Sequence, residues 1–303
     1  MVPPSGEQFE ISHGDQRATV VEVGGGIRAY SVGDRPVLQP YDLDAMCDGA
    51  HGTVLVPWPN RLGDGRYSFD GTDHQLALTE PGKHNAIHGL TRWRSWRPSD
   101  HRPDSVTMMI RVHPSPGYPF TLDMAVAYTL GDDGLRVSAT ATNAGSSACP
   151  YGFGQHPYLS PGADRVDDCT LRFGAATRIT TDGDRALPTG TEPAAGSPLD
   201  FRHNPPIGEL KIDDAFMDLH RDGNGRTWVA LTGPDGRTVE LWGDETVAVV
   251  QLYTGDNLAH ARHRTGLAAE PMTCAANAFQ SGDRVQRLEP GRSTTTTWGV
   301  RLR

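Results

Sequence analysis

Between closely spaced glycines and prolines, apolar side chains fall on every second position. Thr121–Leu130 (TLDMAVAYTL) alternates in this way, and so does Gly134–Gly145 (GLRVSATATNAG). A period of two turns one face of an extended segment to a core and the other to water, so both are expected to be strands. The GDDG that joins them is a hairpin signal. The pattern returns at Thr227–Gly243, two strands around a Pro-Asp-Gly turn. It appears again at Val247–Gly255 (VAVVQLYTG) and at Ser293–Leu302 (STTTTWGVRL). No long segment carries a helical period. The expected fold is all-β, a large antiparallel sandwich of short strands with few or no long helices.

The Pro- and Gly-rich stretch Leu187–Leu210 suits either a linker or a long loop bordering a site. No composition shift divides the chain, so residues 1–303 are expected to form a single domain. No short internal repeat stands out, which argues against a propeller.

Composition narrows the function classes. With 28 basic and 37 acidic residues the net charge is -9, and a nucleic-acid partner would normally demand a basic patch. Lys83 and Lys211 are the only lysines, leaving Schiff-base chemistry few candidates. Cys47, Cys149, Cys169 and Cys274 lie far apart with no C-x-x-C pair, which fits neither a zinc ribbon nor a disulfide framework. The opening MVPPSGEQFEISHGDQ has no basic segment followed by an apolar one, and no apolar run reaches membrane-spanning length. A reduced, cytoplasmic protein without a membrane partner is the expectation.

Four segments could carry chemistry. In VPWPNRLGDGRYSFDG (Val56–Gly71), Pro57 and Pro59 bracket Trp58 and lead into Asn60 and Arg61. This is either a rigid turn with a surface arginine or a device aiming a planar fork of donors at a polyhydroxylated ligand. In KHNAIHGLTRWRSW (Lys83–Trp96), His84 and His88 have the i, i+4 spacing of helical metal ligands. Gly89 follows at once and no HEXXH glutamate is present, so no metal is expected there. Taken alone, His88 is a packed histidine, and Trp93 and Trp96 are most simply core.

In YGFGQHPYLSPG (Tyr151–Gly162), the proline after His156 biases that residue to extended backbone. Gly152 and Gly154 leave room for close approach by another backbone or a ligand. His156 is a packed ring or a neutral-pH proton donor. In GLAAEPMTCAANAFQSGD (Gly266–Asp283), Glu270 is either a solvated strand-end carboxylate or a buried, functional one. In IDDAFMDL (Ile212–Leu219), at least one of Asp213 and Asp214 should face water.

In this order, the blocks PWPNRLGDGRYSFDG, NAIHGLTRW, GFGQHPYL, IDDAF, VVQLYTGDNL and EPMTCAANAFQSGD resemble the aldose 1-epimerase (mutarotase) family. The resemblance runs from Val56 to the C-terminus. It implies a β-supersandwich with its site on the concave face of one sheet. It also implies cofactor- and metal-free interconversion of the α and β anomers of a free monosaccharide. Carried onto this chain, Glu270 is the general base, His156 the general acid, and His88 a second active-site histidine. Arg61, Asp213 and Gln251 match hydroxyl-binding positions, with Asn60 and Tyr158 beside them.

The Asp-Asp-Ala-Phe form at Asp213–Phe216 differs from the galactose-type pattern, which leaves the sugar open. A related branch acts on hexose 6-phosphates through additional arginines. Arg92, Arg94 and Arg97 fit that reading, or more simply form a solvated strand face. A non-catalytic carbohydrate-binding sandwich would use the same binding residues but would not need both His156 and Glu270. A glycoside hydrolase or lyase would call for two catalytic carboxylates. A cupin-like metal site lacks its H-x-H cluster. A monomer and a homodimer are both compatible with the sequence.

Overall fold

A computed structural model describes residues 2–303. Two antiparallel sheets, one of 12 strands and one of 8, carry the architecture, with three two-stranded ribbons around them. Among the described residues the one α-helix is the four-residue Ala278–Ser281. The fold is the all-β antiparallel arrangement that the alternating pattern implies.

The 8-stranded sheet runs Arg97–Arg102, Ser105–Val112, Leu122–Gly131, Gly134–Asn143, Ser293–Leu302, Thr238–Gly243, Thr227–Thr232 and Thr170–Phe173. The first hairpin seen in the sequence lies at its centre, with Leu122 opposite Asn143 and Gly131 opposite Gly134. Along Leu122–Gly131 buried and half-exposed residues alternate. Met124, Val126, Tyr128, Val137 and Trp298 point inward and pack in the main core with residues of the other sheet such as Ile11, Val20, Phe216 and Leu252.

The 12-stranded sheet holds the site. Its main path begins with four N-terminal strands and continues through Tyr158–Leu159, Leu267–Met272, Val249–Tyr253, Asp213–Leu219, Ala175–Thr181 and Pro188–Pro193. This order sets Glu270 opposite Gln251, Asp213 opposite Tyr253 and Tyr158 opposite Ala268. The stretch Leu187–Leu210 borders a cavity adjoining the site's cleft through Pro188, but it is not loop throughout. Part of it, Pro188–Pro193, is an edge strand paired with Ala175–Thr181. Exposed side chains cover that edge, and they hid its strand character in the sequence.

A buried polar node links the sheets behind the site. Gln155 is fully buried, and its Nε2 donates to the Gly52 carbonyl at 3.1 Å and to the Tyr128 hydroxyl at 3.0 Å. Its Oε1 accepts the Trp298 indole N–H at 3.1 Å, and the Tyr128 hydroxyl donates onward to the Gly25 carbonyl at 2.5 Å. A satisfied buried network of this kind favours one packing of the sheets over its alternatives.

Trp96 is buried in the core, but Trp93 is 52% exposed, contrary to its expected core position. The Arg92 guanidinium lies over the Trp93 ring at 4.9 Å, so Trp93 has a cationic neighbour at the surface in place of an apolar one.

Gln155→Leu keeps the volume of the node and leaves the Trp298 N–H without its acceptor. The expected loss is about 1–3 kcal/mol, read from urea denaturation followed by tryptophan fluorescence. An unchanged midpoint would mean that these bonds contribute nothing net to stability.

Candidate active site

The Pro-rich turn positions the first two polar residues. Trp58 is buried, and Pro59 packs so closely on Gly154 that a Cβ there would lie 2.7 Å from the proline Cβ. A Cβ on Gly152 would stand 2.5 Å from the Cys274 sulfur. The two glycines thus admit neighbouring side chains of the protein itself. Asn60 takes a left-handed backbone (φ 55°), as does His88 (φ 62°). The two residues exchange bonds: the Asn60 N–H donates to His88 Nδ1 at 3.2 Å, and the His88 N–H donates to the Asn60 carbonyl at 3.0 Å.

Gly89, at φ 71°, makes this exchange possible. A Cβ there would sit 2.0 Å from the Val56 carbonyl oxygen, which instead accepts the Leu90 N–H at 2.7 Å. Because Nδ1 of His88 is an acceptor, the proton of the neutral ring is on Nε2. Burial, with His156, Arg92 and Arg61 adding, holds the His88 pKa well below its ordinary 6.5. His88 is therefore a neutral donor. It lies outside any helix, and its i−4 neighbour His84 is exposed.

Arg61 stands at the start of the Arg61–Gly63 ribbon strand, its guanidinium paired bidentately with Glu80 at 2.9 and 3.1 Å. Glu80 also accepts from Asn85 at 2.9 Å, which fixes the fork. Gln251 donates to Asp213 at 2.8 Å and accepts from Asn60 at 3.5 Å. Asp213 stays accessible to water at the edge of the cleft, yet the protein packed around its carboxylate raises its pKa, a rise that Arg61 opposes. Asp214 is half-buried with Arg178 at 3.4 Å, so Asp213 is the residue that faces water.

His156 and Glu270 meet at the floor, Nε2 to Oε1, at 3.3 Å, and both are buried. Glu270 lies within the Leu267–Met272 strand and is not a solvated strand end. Burial, and then Asp213, raises its pKa well above 4.5, while Arg61 opposes the rise. Burial, with His51 and Arg92 adding, pushes His156 down to about 3. Burial thus favours the protonated carboxyl and the neutral imidazole, and the 3.3 Å contact lets one proton pass between them. Glu270 Oε2 has no hydrogen-bond partner. The His88 ring meets the His156 ring edge-on, centroids 5.6 Å apart.

Asn60, Arg61, His88, His156, Tyr158, Asp213 and Glu270 all line one cleft of about 610 Å³. Gln251 sits just beneath it, in an adjoining cavity it shares with Asn60, Arg61 and Asp213. The sequence did not single out Glu80 or Asn257, which also line the cleft. Glu80 lies outside every block that stood out in the sequence, and Asn257, though inside VVQLYTGDNL, was not marked as a site residue there. Arg92 corrects an expectation: it is half-buried in the cleft wall, not on a solvated strand face. Its Nε has no partner, and burial draws its pKa down. Arg94 and Arg97 are exposed and do not line the cleft.

The arrangement offers an acid and a base in contact, a neutral N–H donor beside them, and a rim of carboxylate, amide and guanidinium groups. That set suits proton transfer on a polyhydroxylated molecule. Among the described residues no cluster of three or more His, Cys, Asp or Glu could hold a metal ion, and no helix is long and apolar enough to cross a membrane.

Comparison with known proteins gives a consistent result. The pattern described as aldose 1-epimerase matches residues 7–301. The Escherichia coli protein YihR, described as uncharacterized, is 36% identical over 290 residues, 95% of this chain and 91% of that protein. Galactose mutarotase of Rattus norvegicus is 27% identical over 295 residues, 84% of this chain and 80% of that one. The crystal structure of the GalM/aldose epimerase homologue from C. elegans shares the fold with a TM-score of 0.86 at 19% identity, covering 98% of each chain.

Glu270→Gln should stabilise the protein increasingly as pH rises. The unfolded chain releases the Glu270 proton near 4.5, while the folded protein retains it to higher pH. The variant lacks that cost, so its advantage grows from pH 4.5 upward by about 1.4 kcal/mol per pH unit until the folded pair ionises. Urea melts of both proteins between pH 4.5 and 8 provide the measurement. A pH-independent difference would mean that the carboxyl is not desolvated.

Proposed function

The chain belongs to the aldose 1-epimerase family, and from that premise we propose that it is a mutarotase, an isomerase interconverting the α and β anomers of a free aldohexose. The observation that carries this reading is the buried His156–Glu270 contact at 3.3 Å on the floor of an open polar cleft. A carboxylate and an imidazole sharing one proton are what the reaction consumes and returns.

Burial favours the shared proton on Glu270 at rest. The working form is therefore the other tautomer, in which that proton has crossed the 3.3 Å contact to His156 and Glu270 is ionised. Glu270 takes the proton of the C1 hydroxyl, the C1–O bond to the ring oxygen breaks, and His156 protonates that oxygen. The product is the open-chain aldehyde, and the pair still holds one proton, now on Glu270. Rotation about C1–C2 presents the other carbonyl face. Closure returns a proton from Glu270 to the carbonyl oxygen and takes one from the attacking hydroxyl to His156. Atoms and charge balance, and no redox partner is needed.

The remaining residues orient the sugar. Neutral His88, donating from Nε2, supports the oxygen that His156 protonates. Arg61, fixed by Glu80, and Asp213, fixed by Gln251, take hydroxyl groups, and Asn60 and Tyr158 complete the wall. Ordering these side chains before the sugar arrives reduces the cost of binding. A sugar-binding protein without turnover has no use for a buried acid–base pair, because the desolvation of such a pair costs stability.

Arg92 favours a second reading. A partly desolvated guanidinium in the wall, its Nε without a hydrogen-bond partner, suits a sugar with an anionic substituent, such as a hexose 6-phosphate. Arg94 and Arg97 give it no support, because both are away from the cleft.

Polarimetry on freshly dissolved α-glucose and α-galactose tests the main reading. The parent protein should accelerate mutarotation, and Glu270→Gln should lower kcat by about 10²–10⁴-fold with a smaller change in KM. Near-parental turnover in the variant would remove Glu270 from the base role. For the second reading, kcat/KM on a hexose 6-phosphate should exceed that on the parent hexose, and Arg92→Gln should erase the difference. Equal values in the parent protein would dismiss it.

A further inference from the structure

A proton donor must be aimed as well as charged, and His156 lacks the usual means. An imidazole is commonly oriented by a hydrogen bond on the ring nitrogen that does not react. In His156, Nε2 faces Glu270, and Nδ1 has no hydrogen-bond partner on another residue. The second side-chain torsion of histidine is broad, so without such a bond the ring plane is weakly defined.

Flat faces take over that task. The Tyr158 ring is stacked on His156, centroids 5.0 Å apart at 18°. Tyr158 is in turn stacked on His51, centroids 4.1 Å apart at 9°. Tyr41 closes the series, edge-on to His51 at 5.8 Å. The two rings beneath His156 are themselves held. The Tyr158 hydroxyl donates to the Gly49 carbonyl at 2.9 Å, and His51 Nε2 lies 2.9 Å from the Gln39 carbonyl, to which it must donate. The backbone joins the same assembly: Gly52 N–H donates to the His156 carbonyl at 2.9 Å, and His156 N–H to the Thr53 carbonyl at 3.2 Å.

We propose that His51 is a positioning residue of the active site, whose buried ring, acting through Tyr158, fixes the plane in which His156 presents its proton. This rests on the mutarotase reading for its kinetic consequence, but the stack itself is independent of that reading. His51 does not line the cleft, so its effect on the reaction is indirect. Its flat face, not its nitrogen chemistry, is the property required.

Two substitutions separate these properties. His51→Phe and His51→Leu both lose the bond to Gln39, but only Phe offers a flat face. Leu should lower kcat by about tenfold or more with KM within about threefold, since misplacing a reacting group by ~1 Å can cost ~10²-fold. Phe should restore kcat to within about threefold of the parent. The ¹H–¹³C spectrum of the histidine side chains gives a readout free of activity. The His156 ring protons, shifted by the Tyr158 ring current, should keep their positions in Phe and move in Leu.

His51→Met is a second non-planar replacement should Leu not yield folded protein. Equal kcat and equal His156 shifts in the planar and non-planar variants would overturn the proposal. Should the parent accelerate no aldose, the mutarotase reading would fall, and the His156 shifts would still decide the stack.

Discussion

The structure depends on the alternation of a single extended dipeptide, Gln155–His156. Consecutive residues of a strand face opposite sides. Gln155 turns inward and is bonded to Tyr128 and Trp298 of the opposite sheet and to the Gly52 carbonyl. His156 turns outward to the cleft and to Glu270. One residue clamps the two sheets and the next points the imidazole, so the site inherits the rigidity of the core. A slip of one position in this extended segment, whose strand ends at Gln155, would exchange the two roles and destroy both.

Burial then sets the chemistry. Removing Glu270 and His156 from water disfavours the charged form of each and drives their pKa values in opposite directions. The carboxyl is driven toward its protonated form and the imidazole toward its neutral form, and the contact between them lets one proton be exchanged. The cost is a destabilised fold at the site. The sandwich tolerates it because the surrounding core is extensive, with the neighbouring Ala268, Ala269 and Met272 fully buried.

Around that pair, positions are fixed by bonds between parts of the chain distant in sequence. The left-handed turns at Asn60 and His88 lock the two segments to each other and leave the His88 proton on Nε2. Glu80 spreads the Arg61 guanidinium, and Gln251 holds Asp213. Each of these partners removes a degree of freedom that binding a ligand in the cleft would otherwise have to order.

The all-β class was legible in the sequence, because a period of two is imposed on any strand with one buried face. The hairpin about Asp132–Asp133 and the strands at Val249–Tyr253 and Ser293–Leu302 followed from it. The segments bearing Asn60, His88, His156 and Glu270 stood out because prolines, glycines and polar residues interrupt the pattern there. Gln251, in contrast, lies in a regular strand and was marked, like the binding role of Asp213, only by the family resemblance. The sequence could not report which strands are neighbours. Tertiary structure alone set Glu270 against His156, although 114 positions separate them by their numbers. It moved Arg92 from a supposed solvated face into the cleft wall, left Trp93 at the surface and made Pro188–Pro193 an edge strand. Glu80 and His51 gave no local signal at all. Their contributions, an ion pair to Arg61 and a flat face behind Tyr158, depend on distances, and distances across a sheet are set by strand order and packing, which local alternation does not encode.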